Sequence, residues 1–232
     1  MVQIIVKTLA MTLVVLSFMS CGKDTPSTSE EVRIIEGDLK AITMSFPYET
    51  QKYNWKSWYG ESIFRYLNER GELSSIIDTE INNYDLKLLK CTSYNSANSY
   101  EKKRFWVLFI ASIAHAESGL NPNTTFREKD GTLSSGLLQI DVASANRHSS
   151  RYTGFTFSQK DLFDPDKNLM AGLYILKHQI DGGIFGERPD IRARLFTQSS
   201  YYWSVLTLKK ELIIKTFTKN ALINLPFCSI GR

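Results

Sequence analysis

"AHAESGLNPN", residues 114–123, closes an otherwise apolar run with a glutamate, Glu117, and places Gly119 and Pro122 directly after it. Reading back from there, "EKKRFWVLFIASIAHAES" puts Phe105, Leu108, Phe109, Ser112, Ile113 and Ala116 on one broad helical face, which Val107 and Ile110 widen. The spacing predicts a helix from about Glu101 to Ser118. A helix apolar over so much of its surface is a central one, surrounded by others. It ends where glycine and then proline cannot continue it.

Downstream the pattern changes. In "TTFREKDGTLSSGLLQI", Asp130-Gly131 is a hairpin-turn signal between threonine-rich, β-favouring flanks, and "GLLQI" reads as a short strand or extended piece. "DPDKNLMAGLYILKHQIDGG" predicts a helix that starts after Pro165 and ends at Gly182-Gly183. "RARLFTQSSYYWSVL" and "KELIIKTFTKNALINL" read as further helices. Upstream, "WKSWYGESIFRYLNERGEL" predicts a helix ending near Gly71, and "SSIIDTEINNYDLKLLK" one or two short ones. The expected class is α+β and predominantly α-helical, with one small β-hairpin after the central helix.

The chain has 232 residues, enough for one substantial core, and 43% hydrophobic with 12% aromatic residues is a globular composition. A net charge of +4, without clustered Lys and Arg, argues against nucleic acid as a partner. Lys7 precedes the apolar "TLAMTLVVLSFMS", and Cys21 follows directly, the layout of an export signal. The expected domains are a signal peptide at 1–20, a lipidated cysteine and flexible tether at 21–38, and one folded domain at 39–232. Ser20-Cys21 resembles a lipoprotein acylation site, with Phe18 and Met19 departing from its usual pattern. A plain secreted protein and an uncleaved anchor stand as alternatives. The expectation is a protein exported across the inner membrane, either anchored in the envelope through lipid on Cys21, or periplasmic, or secreted. With Cys21 acylated, Cys91 and Cys228 remain as an even pair in an oxidising compartment, either bridged or as two buried thiols.

A carboxylate at the end of a buried helix meets the negative end of the helix dipole and a poor solvent for charge. Both raise its pKa. A carboxyl that keeps its proton near neutral pH can donate it to a leaving oxygen, as glycosidic cleavage requires. The plain alternative is an ordinary exposed glutamate closing a helix.

"AESGLNPNT" followed by "SSGLLQID" resembles the lytic transglycosylase and goose-type lysozyme families, which share the lysozyme-like fold. Their Glu-Ser helix end is matched by Glu117-Ser118, and their Gly-Leu-Met-Gln by Gly136-Leu137-Leu138-Gln139, with Leu138 replacing methionine. "NLMAGLYIL" resembles their Ala-Gly-x-x-Tyr-Leu helix through Ala171, Gly172 and Tyr174. The likeness covers about residues 100–180. It implies a peptidoglycan-cleaving glycosidase, acting on the β-1,4 bonds between N-acetylmuramic acid and N-acetylglucosamine, that works as a monomer without cofactor or metal. It implies Glu117 as catalytic acid, and Ser118, Gly136, Leu138, Gln139 and Tyr174 around the substrate.

Asp141 follows the glutamine motif as in goose-type lysozymes. It is either a second catalytic carboxylate orienting water or the N-cap of the next helix. The family's later Ala-Tyr-Asn-Ala-Gly segment is missing; Tyr201, Tyr202 and Trp203 are the substitutes, as sugar-stacking aromatics or as core. His115, His148 and His178 have no metal-ligand spacing. The reading from another class is a non-catalytic envelope lipoprotein that keeps this shape to bind glycan or a partner protein.

Overall fold

Asn98 and Glu101 start the helix that organises the molecule. The Asn98 side chain accepts the Glu101 N–H, and the Glu101 carboxylate accepts the Asn98 N–H, a reciprocal cap that satisfies two otherwise orphaned donors. The computed structural model describes residues 52–197 and 201–229. In chain order they form α1 (Ser57–Glu69), α2 (Ser75–Asp78), α3 (Asn83–Leu88) and α4 (Ser99–Ser118). The strands β1 (Thr125–Arg127) and β2 (Leu133–Ser135) follow, then α5 (Val142–Thr153), α6 (Pro165–Asp181), α7 (Val205–Leu208) and α8 (Lys210–Asn224). The architecture is mostly helical with one small antiparallel sheet.

Every side chain of α4 from Phe105 to Ala116 is buried, as its apolar circumference predicts. α8 runs along it in the opposite direction. Arg104 near the start of α4 donates to the Asn224 carbonyl at 2.9 Å, and Lys209 just before α8 donates to the Ala116 carbonyl at 2.7 Å. Between these ties Phe217 of α8 meets Phe105 and Phe109 edge-on, and Trp106 donates its indole N–H to the Tyr94 hydroxyl at 2.9 Å. Each such buried ring contributes about 2 kcal/mol. That is more than the cap α8 lacks, since no side chain caps its start. α1 packs on α4 and on α6, and α6 packs on α5.

The hairpin forms where Asp130-Gly131 predicts it. Thr125 pairs with Ser135 and Arg127 with Leu133, and Gly131 sits at φ 89°, a conformation glycine adopts without strain. The expected strand at 136–140 is instead a tight turn. Ser135 and Ile140 exchange two backbone hydrogen bonds of 3.0 Å, and Gly136 and Gln139 both take positive φ between them. Of the helix expected across 192–206, the described residues show only Val205–Leu208 as helical, and residues 192–197 are not helical. The reason lies elsewhere in the fold. Buried Asp85 accepts the N–H groups of Leu195 and Phe196, which holds that segment in a non-helical path.

Cys91 and Cys228 form a disulfide across 137 residues, which answers the choice between bridge and free thiols. Closing so long a loop restricts the unfolded chain by about 4–5 kcal/mol. The double variant Cys91→Ser/Cys228→Ser is therefore expected to lower Tm by about 10 °C or more in scanning calorimetry. Among the described residues no helix is long and apolar enough to cross a membrane. The signal, Cys21 and the tether lie outside the described residues.

Candidate active site

The last turn of α4 is tied down at three of its carbonyls. The Ala114 carbonyl accepts the Ser118 hydroxyl at 3.0 Å, the His115 carbonyl accepts the N–H of Gly119 at 3.1 Å, and the Ala116 carbonyl accepts Lys209. Gly119 turns the chain away in the left-handed conformation, φ 60°. Glu117 is left half-buried on the wall of a groove of about 690 Å³. The hairpin supplies Thr125, Phe126 and Glu128 to that groove, α5 supplies Ser144 and Arg147, and Tyr202, Trp203 and Lys209 close the remaining side.

Burial pushes the Glu117 carboxyl up to about 7, with Lys209 pulling it down and Glu128 pushing it further up. The group is neutral below that pH, as the sequence reading expects of a helix-end acid. Glu128 went unnoticed in the sequence. It stands in a run of exposed charges, and only the hairpin folds it back toward α4. Its carboxylate accepts the Ser134 hydroxyl at 3.0 Å.

Gln139 reaches the groove from the turn rather than from a strand. Its amide nitrogen donates to the carbonyls of Thr124 at 2.9 Å and Gly136 at 2.8 Å, while its amide oxygen is buried without a partner. Asn168 of α6 organises this turn from beneath, accepting the Leu138 N–H and donating to the carbonyls of Ser135 and Leu162. A side chain at Gly136 would lie 2.1 Å from the Leu162 carbonyl and 2.4 Å from the Asn168 amide, so the close approach there is to the protein's own backbone. Leu138 is buried and fills the space beside Gly172, where a Cβ would meet it at 2.2 Å. The second and third sequence motifs are thus one packing unit. Ser118 joins the first motif to it, donating to the Leu137 carbonyl at 2.8 Å.

Asp141 is the N-cap of α5, accepting the Ser144 N–H at 2.8 Å, and it also lines the groove. Its second oxygen accepts the Tyr202 hydroxyl at 3.1 Å. Tyr202 thereby belongs to the groove, and burial beside that carboxylate raises its phenol pKa. Trp203 is buried against the turn and donates to the Leu138 carbonyl at 2.9 Å. Tyr201 lies edge-on to His148, away from the groove lining. Tyr174 is fully buried, stacked on Tyr152 with its hydroxyl donated to Glu72, and does not line the groove either. His148 and His178, distant in sequence, share a hydrogen bond of 2.8 Å between α5 and α6, and burial lowers them to about 4 and about 3.

Residues 93–188 match the family model described as Transglycosylase SLT domain. The fold is similar to the solved structure of Bd0314 DslA, wild-type form 2, with a TM-score of 0.56 and 25% identity over 79% of this chain and 97% of that one. Two glutamate-to-glutamine mutants of DslA also match. One has a TM-score of 0.55 and 25% identity over 79% of this chain and 97% of that one. The other has a TM-score of 0.53 and 24% identity over 74% and 91%. No curated protein matches the chain. Members of the SLT family are in general lytic transglycosylases, which cleave peptidoglycan. Residues 93–188 thus match the Transglycosylase SLT domain, and the chain folds in the lysozyme-like manner.

Proposed function

We propose that the protein cuts the β-1,4 bonds between N-acetylmuramic acid and N-acetylglucosamine in peptidoglycan, with Glu117 as general acid. One observation carries this reading: Glu117 lines a groove of about 690 Å³ and keeps its proton up to about pH 7. A glycan strand lying in the groove presents its linking oxygen to that carboxyl. Glu117 protonates the oxygen as the bond to the anomeric carbon breaks, and positive charge develops on the sugar. Phe126, 59% exposed on the hairpin, offers a face for a sugar ring.

The cation is then captured either by water or by the sugar's own C6 hydroxyl. Capture by water needs a second carboxylate to orient it. Asp141 has both oxygens engaged, by the Ser144 N–H and the Tyr202 hydroxyl, whereas Glu128 is held by one hydrogen bond to Ser134 and acts electrostatically on Glu117. Glu128 is therefore the better placed of the two. In DslA the two glutamates replaced in the mutant structures stand eleven positions apart, as Glu117 and Glu128 do here. The disulfide supports an exported location, and the +4 charge suits an acidic envelope.

The test is loss of turbidity of purified sacculi between pH 4 and 9, with mass spectrometry of the released sugars. Solubilisation that declines above about pH 7 is the expected result. Reducing ends among the products assign hydrolysis; 1,6-anhydro ends assign transglycosylation. Intact sacculi across the whole range would leave the fold as a glycan-binding module.

A further inference from the structure

A carboxyl that burial alone keeps neutral is a poor general acid, because the anion it becomes is destabilised by the same burial. Something must face that anion. The groups around Glu117 can be taken element by element. The hairpin brings Glu128 and Asp130, and the α5 end brings Asp141 and Arg147. Tyr202 lies across the groove with its hydroxyl on Asp141. On α4 itself, His115 turns to Thr216 of α8 at 3.2 Å, and burial lowers its pKa so that it stays uncharged near neutrality. Lys209 comes from the short α7–α8 junction. Its ammonium is anchored at 2.7 Å on the carbonyl of Ala116, the residue before Glu117, and it lines the same groove.

This placement is specific. α7 ends at Leu208 and α8 begins at Lys210, so Lys209 is the single residue between two helices, with non-helical φ −115°. Its backbone is held there by the Lys209 N–H to Val205 carbonyl bond of 3.0 Å. From that hinge the side chain spans to the end of α4 and puts a positive charge where the helix dipole is negative and the acid sits.

We propose that Lys209 is a positioning residue for the cleavage step: it fixes the last turn of α4 and supplies the cation that the Glu117 carboxylate faces once its proton has left. The inference rests on the reading of Glu117 as the acid. In each turnover Glu117 gives its proton to the leaving oxygen and is left as a carboxylate; it regains a proton directly from the attacking C6 hydroxyl, or, where water attacks, from solvent while Glu128 takes the water's proton and releases it to solvent. Lys209 keeps its own proton throughout.

The experiment compares wild type, Lys209→Met and Lys209→Arg in the full chain. The Glu117 carboxyl is followed by carbon-13 NMR, its signal identified by its loss in Glu117→Gln, and initial rates on sacculi are measured from pH 4 to 9. Lys209→Met is expected to raise the titration midpoint of Glu117 by about one pH unit, move the alkaline limb of activity up with it and lower the plateau, and Lys209→Arg to restore all three. A midpoint and limb that stay at their wild-type pH in Lys209→Met, whatever happens to the rate, would overturn the inference and leave Lys209 as a helix tie. Inactive wild type with a shifted midpoint overturns the enzyme reading, and with it the role of Lys209 in cleavage, and leaves Lys209 only as a cation acting on Glu117.

Discussion

Glu117→Gln is expected to lose at least about a hundredfold in sacculus solubilisation, since a positioned general acid contributes on the order of 10² to 10⁴ in rate and glutamine has no proton to give. The substitution is nearly isosteric, so binding of sacculi at 4 °C, measured by co-sedimentation, should be retained. The wild-type profile follows from the same group. Its neutral form is the active one, so activity is present below about pH 7 and falls above it. The stability change has the opposite sense from that of a paired carboxylate. Burial raises the folded pKa above the ordinary value of 4.5, so wild type loses stability as pH rises from about 4.5 to about 7. Glutamine avoids that penalty. The variant should therefore melt at the same temperature as wild type at pH 4 and at a higher one at pH 8, and an equal difference at both pH values would count against a neutral Glu117. A site that is more stable without its acid is what a tuned carboxyl predicts.

Gly136→Ala is expected to be the most damaging single methyl in the described chain. The added Cβ would lie 2.1 Å from the Leu162 carbonyl, which is backbone and cannot swing aside, at a position where φ is +81°. Strain in the left-handed region and overpacking each cost about 1–3 kcal/mol, so the sum is about 4 kcal/mol and the fall in Tm about 10 °C. Activity should fall further than stability, because the turn that carries Gln139 closes on Gly136 through two hydrogen bonds, one from the Gln139 backbone and one from its side chain. Gly131→Ala is the internal control. Gly131 has φ +89°, but a Cβ there meets nothing within 4 Å, so only the backbone strain of about 1 kcal/mol remains. Thermal melts of the two variants side by side distinguish a glycine required by packing from one required by a turn.

Some of the site was legible because its causes are local. The central helix announces itself by apolar residues around its circumference, its end by Gly119, and the hairpin by Asp130-Gly131. Each depends on residues within one or two turns. Glu117 was found for the same reason: a carboxylate closing a buried helix is anomalous in its own neighbourhood. The N-cap alternative for Asp141 was also local, and the structure shows that hydrogen bond. The "GLLQI" segment was misread as a strand because a short apolar run has no period of its own. What bends it is Asn168, on α6, and no pattern within the run contains that information.

By itself, then, the sequence determined where the central helix and the hairpin lie, that about residues 100–180 resemble a known family, and which carboxyl is out of place. The tertiary structure decided what acts on that carboxyl. Glu128 approaches it because a hairpin reverses the chain, and Lys209 reaches its helix end across 93 residues. It also sent Tyr174 and Tyr201 away from the groove while bringing Tyr202 into it. Secondary structure follows from neighbours in sequence, whereas the charge state of an acid follows from neighbours in space, through solvent exclusion and Coulomb interactions that fall off with distance rather than with position along the chain.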